Sequence, residues 1–181
     1  MNMTGERFIA APRVAVWAAL NDPEVLKACI PGCESLEKLS DTQMKAVAGI
    51  KLGPVSAKFQ GQVTLSDLDP PNGYRISGEG KGGPAGFAKG GAEVRLIDQD
   101  AGTLLSYTVD AQVGGKIAQV GARLIDATAK TMAEQFFKKF AAMVEKPEAP
   151  KQSAALAPPQ KPEPGFLARL WRRIVRVFTG S

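Results

Sequence analysis

Residues 55–65 run Val55-Ser56-Ala57-Lys58-Phe59-Gln60-Gly61-Gln62-Val63-Thr64-Leu65. Apolar or small residues take every odd position and polar ones every even position. That period of two is the mark of an antiparallel strand buried on one face. Working outward, Gly53-Pro54 makes a turn, and Met44, Ala46, Ala48, Ile50 and Leu52 alternate before it. Pro70-Pro71-Asn72-Gly73 forms the next turn, followed by Tyr74, Ile76 and Gly78 on one face of a further strand. Ala92, Val94 and Leu96 give another, and Leu105, Tyr107, Val109, Ala111 and Val113 the last. The spacing and turns predict an antiparallel meander.

The period changes on both sides of this run. Residues 3–10 fit a short first strand, and Pro12 suits the first turn of a helix running to Leu20. Val14, Trp17 and Ala18 would share its apolar face. Asp22-Pro23-Glu24 has the N-cap, the N1 proline and the acidic first turn of a second helix, which Pro31-Gly32 stops. After Gly114-Gly115, residues 116–144 read as one long helix with Ile117, Val120, Leu124, Phe136, Phe140 and Val144 on or beside an apolar face. The middle of that face (Gly121, Ala127, Thr128) is small. It either presses the helix onto the sheet or leaves space beneath it. The predicted fold is α+β: a curved antiparallel sheet around a long C-terminal helix, with two short helices after the first strand.

Residues 1–144 are expected to be one domain. Their 16 Lys+Arg and 15 Asp+Glu nearly balance. Residues 145–164 form a Pro-rich linker without apolar periodicity, reaching roughly 60 Å in a polyproline-like state. Residues 165–181 hold the remaining excess charge, in four arginines. Phe166, Leu167, Leu170, Trp171, Ile174, Val175 and Phe178 would line one face of a helix, and Arg169, Arg172, Arg173 and Arg176 the other. A basic, aromatic-bearing amphipathic helix is suited to an anionic membrane surface. Four arginines contribute about 4 kcal/mol there, at about 1 kcal/mol each. A helix folded back on the body or seated in a protein groove is the other reading. Nucleic acid is not expected, because the body shows no accompanying basic patch.

Other chemistry is thinly represented. The chain has no histidine, which removes the commonest general base and metal ligand. Cys29 and Cys33 lack the partners of a zinc site and fit reduced thiols. Gly78-Glu79-Gly80-Lys81-Gly82-Gly83 matches a dinucleotide fingerprint in form, but no helix follows to hold a phosphate. The glycine-rich stretch 78–91 around Phe87 fits a kinked hairpin at a sheet edge, a mobile lip over a pocket or a docking surface for a partner. No signal peptide and no span of about 18 uncharged apolar residues is expected.

Several stretches carry a resemblance. They include Ala11-Pro12-x4-Trp17-x2-Leu20-x-Asp22-Pro23-x2-Leu26, Ile30-Pro31-Gly32-Cys33-x2-Leu36 and Gly53-Pro54-Val55-x-Ala57-x-Phe59-x-Gly61. Asp69-Pro70-Pro71, Gly86-Phe87-Ala88-x-Gly90, Tyr107-x3-Ala111-x-Val113-Gly114-Gly115-Lys116, Gly121-x-Arg123-Leu124-Ile125 and Phe136-Phe137 extend it over nearly all of residues 3–140. Together they resemble the carbon monoxide dehydrogenase G-subunit family, within the START/Bet v 1-like helix-grip superfamily. The resemblance implies an apolar cavity between sheet and helix. It also implies a cytoplasmic, peripheral place on the inner face of the cell membrane. The implied partner is a molybdenum carbon monoxide dehydrogenase or a related molybdenum hydroxylase.

The expected function is therefore non-catalytic: binding a quinone (menaquinone or ubiquinone) or a lipid and recruiting the dehydrogenase. The candidate ligand contacts are Trp17, Phe59, Phe87, Tyr107, Ile117, Val120, Gly121, Leu124, Phe136 and Phe140. The rival expectations are a protein adaptor with a filled core, and a cyclase-type enzyme needing polar groups inside its cavity.

Overall fold

The computed structural model describes residues 1–145. The linker and the basic tail helix expected from sequence lie outside the described residues. A first strand, β1 (Asn2–Ile9), leads into helices α1 (Arg13–Leu20) and α2 (Pro23–Cys29). Six strands follow: β2 (Cys33–Lys38), β3 (Gln43–Leu52), β4 (Val55–Asp69), β5 (Gly73–Lys81), β6 (Phe87–Gln99) and β7 (Gly102–Gly114). A 3-10 turn (Gly83–Ala85) joins β5 to β6, and another (Lys116–Val120) precedes helix α3 (Ala122–Val144). All seven strands form one antiparallel sheet in the order β1-β7-β6-β5-β4-β3-β2. The meander β2 to β7 is thus closed on one side by β1, and the two short helices carry the chain from one sheet edge to the other.

The period-two pattern sets the register. Phe59 pairs with Ala48, Val63 with Gly78, Ile76 with Ala92 and Ala92 with Val109, so the odd residues of β4 share one face with the even residues of β3, β5 and β6. Gly53-Pro54 is a two-residue hairpin loop, and Gly53 takes φ +56° there. The Asp22 side chain caps α2 by accepting from the backbone N–H of Glu24 at 2.8 Å and of Val25 at 3.4 Å.

Four expectations are corrected. The stretch 116–144 is not one helix. Gly121 takes φ +95° and ψ 145°, far from helical values, and separates a 3-10 turn from α3. The face of α1 is rotated: Val16 and Leu20 are buried, Trp17 is half-buried, and Val14 and Ala18 are exposed. Pro12 stands just before α1 rather than within its first turn. The glycine-rich stretch lies in β5 and β6, in the middle of the sheet rather than at its edge. The edge strand β2 adds an element that periodicity did not give. Its Glu34, Ser35, Glu37 and Lys38 offer no alternation, and such charges suit an unpaired edge.

The core is two separate clusters. The larger joins Ile9, Val16, Leu20, Met44, Leu65, Tyr74, Val94, Leu96, Leu105 and Phe140. The smaller joins Leu52, Phe59, Ala85 and Ile117, with Ile50, Val55, Val113, Val120 and Ile125 against it. α3 spans roughly 35 Å at 1.5 Å per residue and enters one cluster at each end. Its C-terminal end is fixed most firmly. Phe140 is fully buried, Phe136 stacks on it at 5.6 Å, and the Glu145 carboxylate accepts the Ala10 N–H at 2.9 Å.

Candidate functional site

Between the two clusters the inner face of the sheet is paved with small residues. Ala46 and Ala48 on β3, Gly61 and Val63 on β4, and Ile76, Gly78 and Gly80 on β5 form one side of a trough. Ala88, Gly90 and Ala92 on β6, with Val109 and Ala111 on β7, form the other. Phe59 closes the end toward the smaller cluster. The trough is open along one side and holds about 360 Å³, a volume within the range of small-molecule sites. Among its contributors, Gln62, Glu79, Lys89 and Asp110 fall on the alternate parity, which directs their side chains to the outer face. Every inward position of the trough is apolar or glycine.

Phe140 is the only buried residue of α3. From Ala122 to Lys139 no side chain is fully buried; Ile125 is half-buried against the smaller cluster and Phe136 and Phe137 against the larger. No residue of α3 lines the trough, so the small middle of its apolar face is not pressed onto this floor.

Two larger hollows, of about 680 and 470 Å³, lie on the outer face. Their walls carry Arg75, Glu79, Lys89, Glu93, Arg95 and Asp110. These are solvated ion pairs, such as Arg95–Glu93 at 2.6 Å and Arg75–Glu93 at 3.5 Å, which hold the Glu93 carboxyl below its ordinary range. A hydrocarbon ligand gains little from such walls, so the smaller inner trough is the better candidate.

The sequence-derived candidates are distributed as follows. Phe59 is on the trough wall. Ile117 is buried in the smaller cluster, with Val120 against it. Trp17 meets Tyr74 edge-on at 5.4 Å, Tyr107 stacks on Phe137 at 5.1 Å, and Phe136 and Phe140 stack together, all in the larger cluster. Leu124 is exposed beside Gly53, and Gly121 is the exposed break before α3. Phe87 pairs with Gly114 on the outer parity, where its ring covers that glycine. The floor residues themselves were missed as site residues. Their signal was volume: six inward alanines and glycines on β5, β6 and β7 leave the space over them unfilled.

Little inside favours ionic chemistry. Burial pushes the Tyr74 phenol above its ordinary range, and burial raises both the Cys29 and the Cys33 thiols, away from the reactive thiolate. Thr103, the one buried polar residue among those described, donates to the Ala11 carbonyl at 2.7 Å and is satisfied structurally.

A seven-stranded antiparallel sheet with a long C-terminal helix, and an apolar trough on the sheet's inner face, defines a helix-grip protein. A more particular placement follows from the sequence. The model of the carbon monoxide dehydrogenase G-subunit family (CoxG) matches residues 5–145, and the chain belongs to that family. A conserved protein from Geobacillus kaustophilus is similar in structure, with 35% identity and a TM-score of 0.76, covering 81% of this chain and 96% of its own. A protein from Thermus thermophilus shares the fold at 20% identity and TM-score 0.62, covering 80% of this chain and 97% of its own. The Zhui aromatase/cyclase from Streptomyces sp. R1128 shares it at 14% identity and TM-score 0.57, covering 80% and 93%. No curated protein matches. Among the described residues no helix is long and apolar enough to cross a membrane.

Proposed function

We propose that this chain is a non-catalytic, membrane-associated carrier whose trough holds a quinone (menaquinone or ubiquinone) or another neutral lipid. In this reading it recruits a molybdenum carbon monoxide dehydrogenase, or a related molybdenum hydroxylase, to the inner face of the cell membrane and presents the acceptor to it. One observation supports binding most directly: an uncharged trough on the inner sheet face, floored largely by glycine and alanine, that no side chain of α3 fills. Such a floor offers dispersion and desolvation but no general acid or base, so carriage is proposed rather than cyclisation. Electrons from a gas-oxidising enzyme need a respiratory acceptor, and quinones stay in the bilayer. The family name supplies the tie to carbon monoxide dehydrogenase. The amphipathic sequence 165–178 supplies the tie to the membrane.

Extraction of full-length protein, made in a respiring host, followed by mass spectrometry tests the ligand. Near-stoichiometric quinone is the expected result. A phospholipid would redirect the reading to lipid, and an extract without ligand after exposure to quinone-loaded vesicles would sink it. The membrane half is tested by replacing Arg169, Arg172, Arg173 and Arg176 with glutamine. The full-length variant should pellet far less with anionic vesicles, and equal pelleting would remove the tail from the account.

A further inference from the structure

The body's near-neutral charge conceals a segregation along the strands. The topology puts the turns after β2, β4 and β6 at one pole and those after β3, β5 and β7 at the other. At the first pole, residues 39–42, 67–72 and 98–101 carry Asp41, Asp67, Asp69, Asp98 and Asp100 and no Lys or Arg. At the second, residues 51–55, 81–87 and 114–124 carry Lys51, Lys81, Lys116 and Arg123 and no Asp or Glu. The two poles differ in pairing as well. Asp41, Asp67 and Asp98 each meet a cation, Lys38, Arg75 and Arg13 respectively. Among the described residues Lys51, Lys116 and Arg123 form no ion pair, and Lys81 reaches only Glu79, at 3.8 Å.

The basic pole also exposes apolar surface. Leu124 is 39% exposed and Phe87 38%; Leu39, Leu68 and Ile97 are exposed at the acidic pole too, so it is the unpaired cations that set the basic pole apart. Leu124 and Phe87 are two of the three sequence-chosen ligand contacts that fall outside both clusters and the trough. The smaller cluster lies at this pole and the trough begins directly behind it, since Gly80 and Ala88 on the trough floor adjoin Lys81 and Phe87.

We propose that the basic pole of the body docks on an anionic lipid surface, so that the Phe59 end of the trough, behind the smaller cluster, faces the membrane. The inference rests on the membrane-carrier reading above and gives it a surface. Unpaired cations around exposed apolar side chains match the chemistry of an anionic bilayer interface, headgroup outside and hydrocarbon within. An acidic-pole approach would be repelled by the same surface.

The test is hydrogen–deuterium exchange on the full-length chain, with and without vesicles of phosphatidylcholine and phosphatidylglycerol at three to one. Vesicles should slow exchange in the turns at 51–55, 82–86 and 114–121 and leave those at 67–72 and 98–101 unchanged. Each cation near such a surface is worth about fivefold in affinity. Replacing Lys51, Lys116 and Arg123 together by glutamine should therefore weaken the body's contact about 100-fold and abolish that protection. A second variant, with Asp41, Asp69 and Asp100 changed to asparagine, should keep it. Thermal unfolding confirms that both variants are folded.

If the full-length chain pellets with the vesicles but no body turn is protected, this docking is overturned while tail attachment stands. If it does not pellet, both readings fall together. Protection at the acidic pole, or protection by pure phosphatidylcholine, also overturns it.

Discussion

The two halves of the inner sheet face share strands and parity, yet one is filled by the larger cluster and the other holds the trough behind a smaller one. Along β6 the inward residues run Ala88, Gly90, Ala92, Val94, Leu96, and along β5 they run Gly80, Gly78, Ile76, Tyr74. On β7 Ala111 and Val109 give way to Tyr107 and Leu105. Each strand therefore climbs in side-chain size toward the acidic pole, where α3 is anchored by Phe140. The gradient divides labour within one sheet. The large end supplies the buried area that holds the fold, while the small end keeps room without a break in the backbone pairing.

The widest expected contrast comes from removing the anchor. Phe140 has no exposed surface and stacks on Phe136 in the larger cluster. Phe140→Ala should cost about 3–5 kcal/mol, the range for truncating a buried aromatic. Urea unfolding would measure it. A loss under about 1 kcal/mol would mean that the packed end does not carry the fold's stability.

The small end should answer in the opposite way, and two neighbouring glycines separate its roles. A Cβ on Gly78 would approach the Gln62 carbonyl oxygen to 2.7 Å, so Gly78→Val forces strands apart and should cost about 1–3 kcal/mol. A Cβ on Gly80 meets nothing closer than 3.9 Å, so the chain accepts a side chain there. Gly80→Leu should change stability by less than about 1 kcal/mol, since a strand glycine is itself unfavourable by a similar amount. It should nonetheless lower retained quinone by about tenfold or more, because the new side chain fills the trough. Unchanged retention in a folded Gly80→Leu protein would place the ligand elsewhere.

This contrast also explains how far sequence alone reached. Alternation in residues 43–113 fixed five strands and their inward parity, because a half-buried strand writes its environment into every second residue. Asp22-Pro23 fixed the start of α2 by capping chemistry alone. The edge strand β2 left no such trace, since only Leu36 turns toward the core cluster. The break at Gly121 was hidden because apolar spacing continues through Ile117, Val120 and Leu124 whether the backbone is helical or 3-10. For the site, large apolar residues are the natural candidates, yet four of the ten (Trp17, Tyr107, Phe136 and Phe140) fill the larger cluster and only Phe59 lines the trough. A cavity is marked by the side chains that are missing, so the alanines and glycines held the information. The charge poles needed topology, because their turns are far apart in sequence.

The smallest expected effect sharpens the packed end by pH. Tyr74 is buried, its ring edge-on to Trp17, and burial raises its phenol well above the ordinary value of 10.0. Above about pH 10 the unfolded chain releases this proton while the folded chain retains it. The unfolded state then binds fewer protons, so stability must fall as pH rises, by up to about 1.4 kcal/mol per pH unit. Below about pH 10 both states are protonated and the difference vanishes. Tyr74→Phe keeps the ring against Trp17 but has no proton to lose. Wild type should therefore lose about 1.4 kcal/mol relative to Tyr74→Phe between about pH 9 and pH 11. Parallel curves for the two proteins would mean that the phenol reaches solvent in the folded state, and that the large end is less tightly closed than its packing indicates.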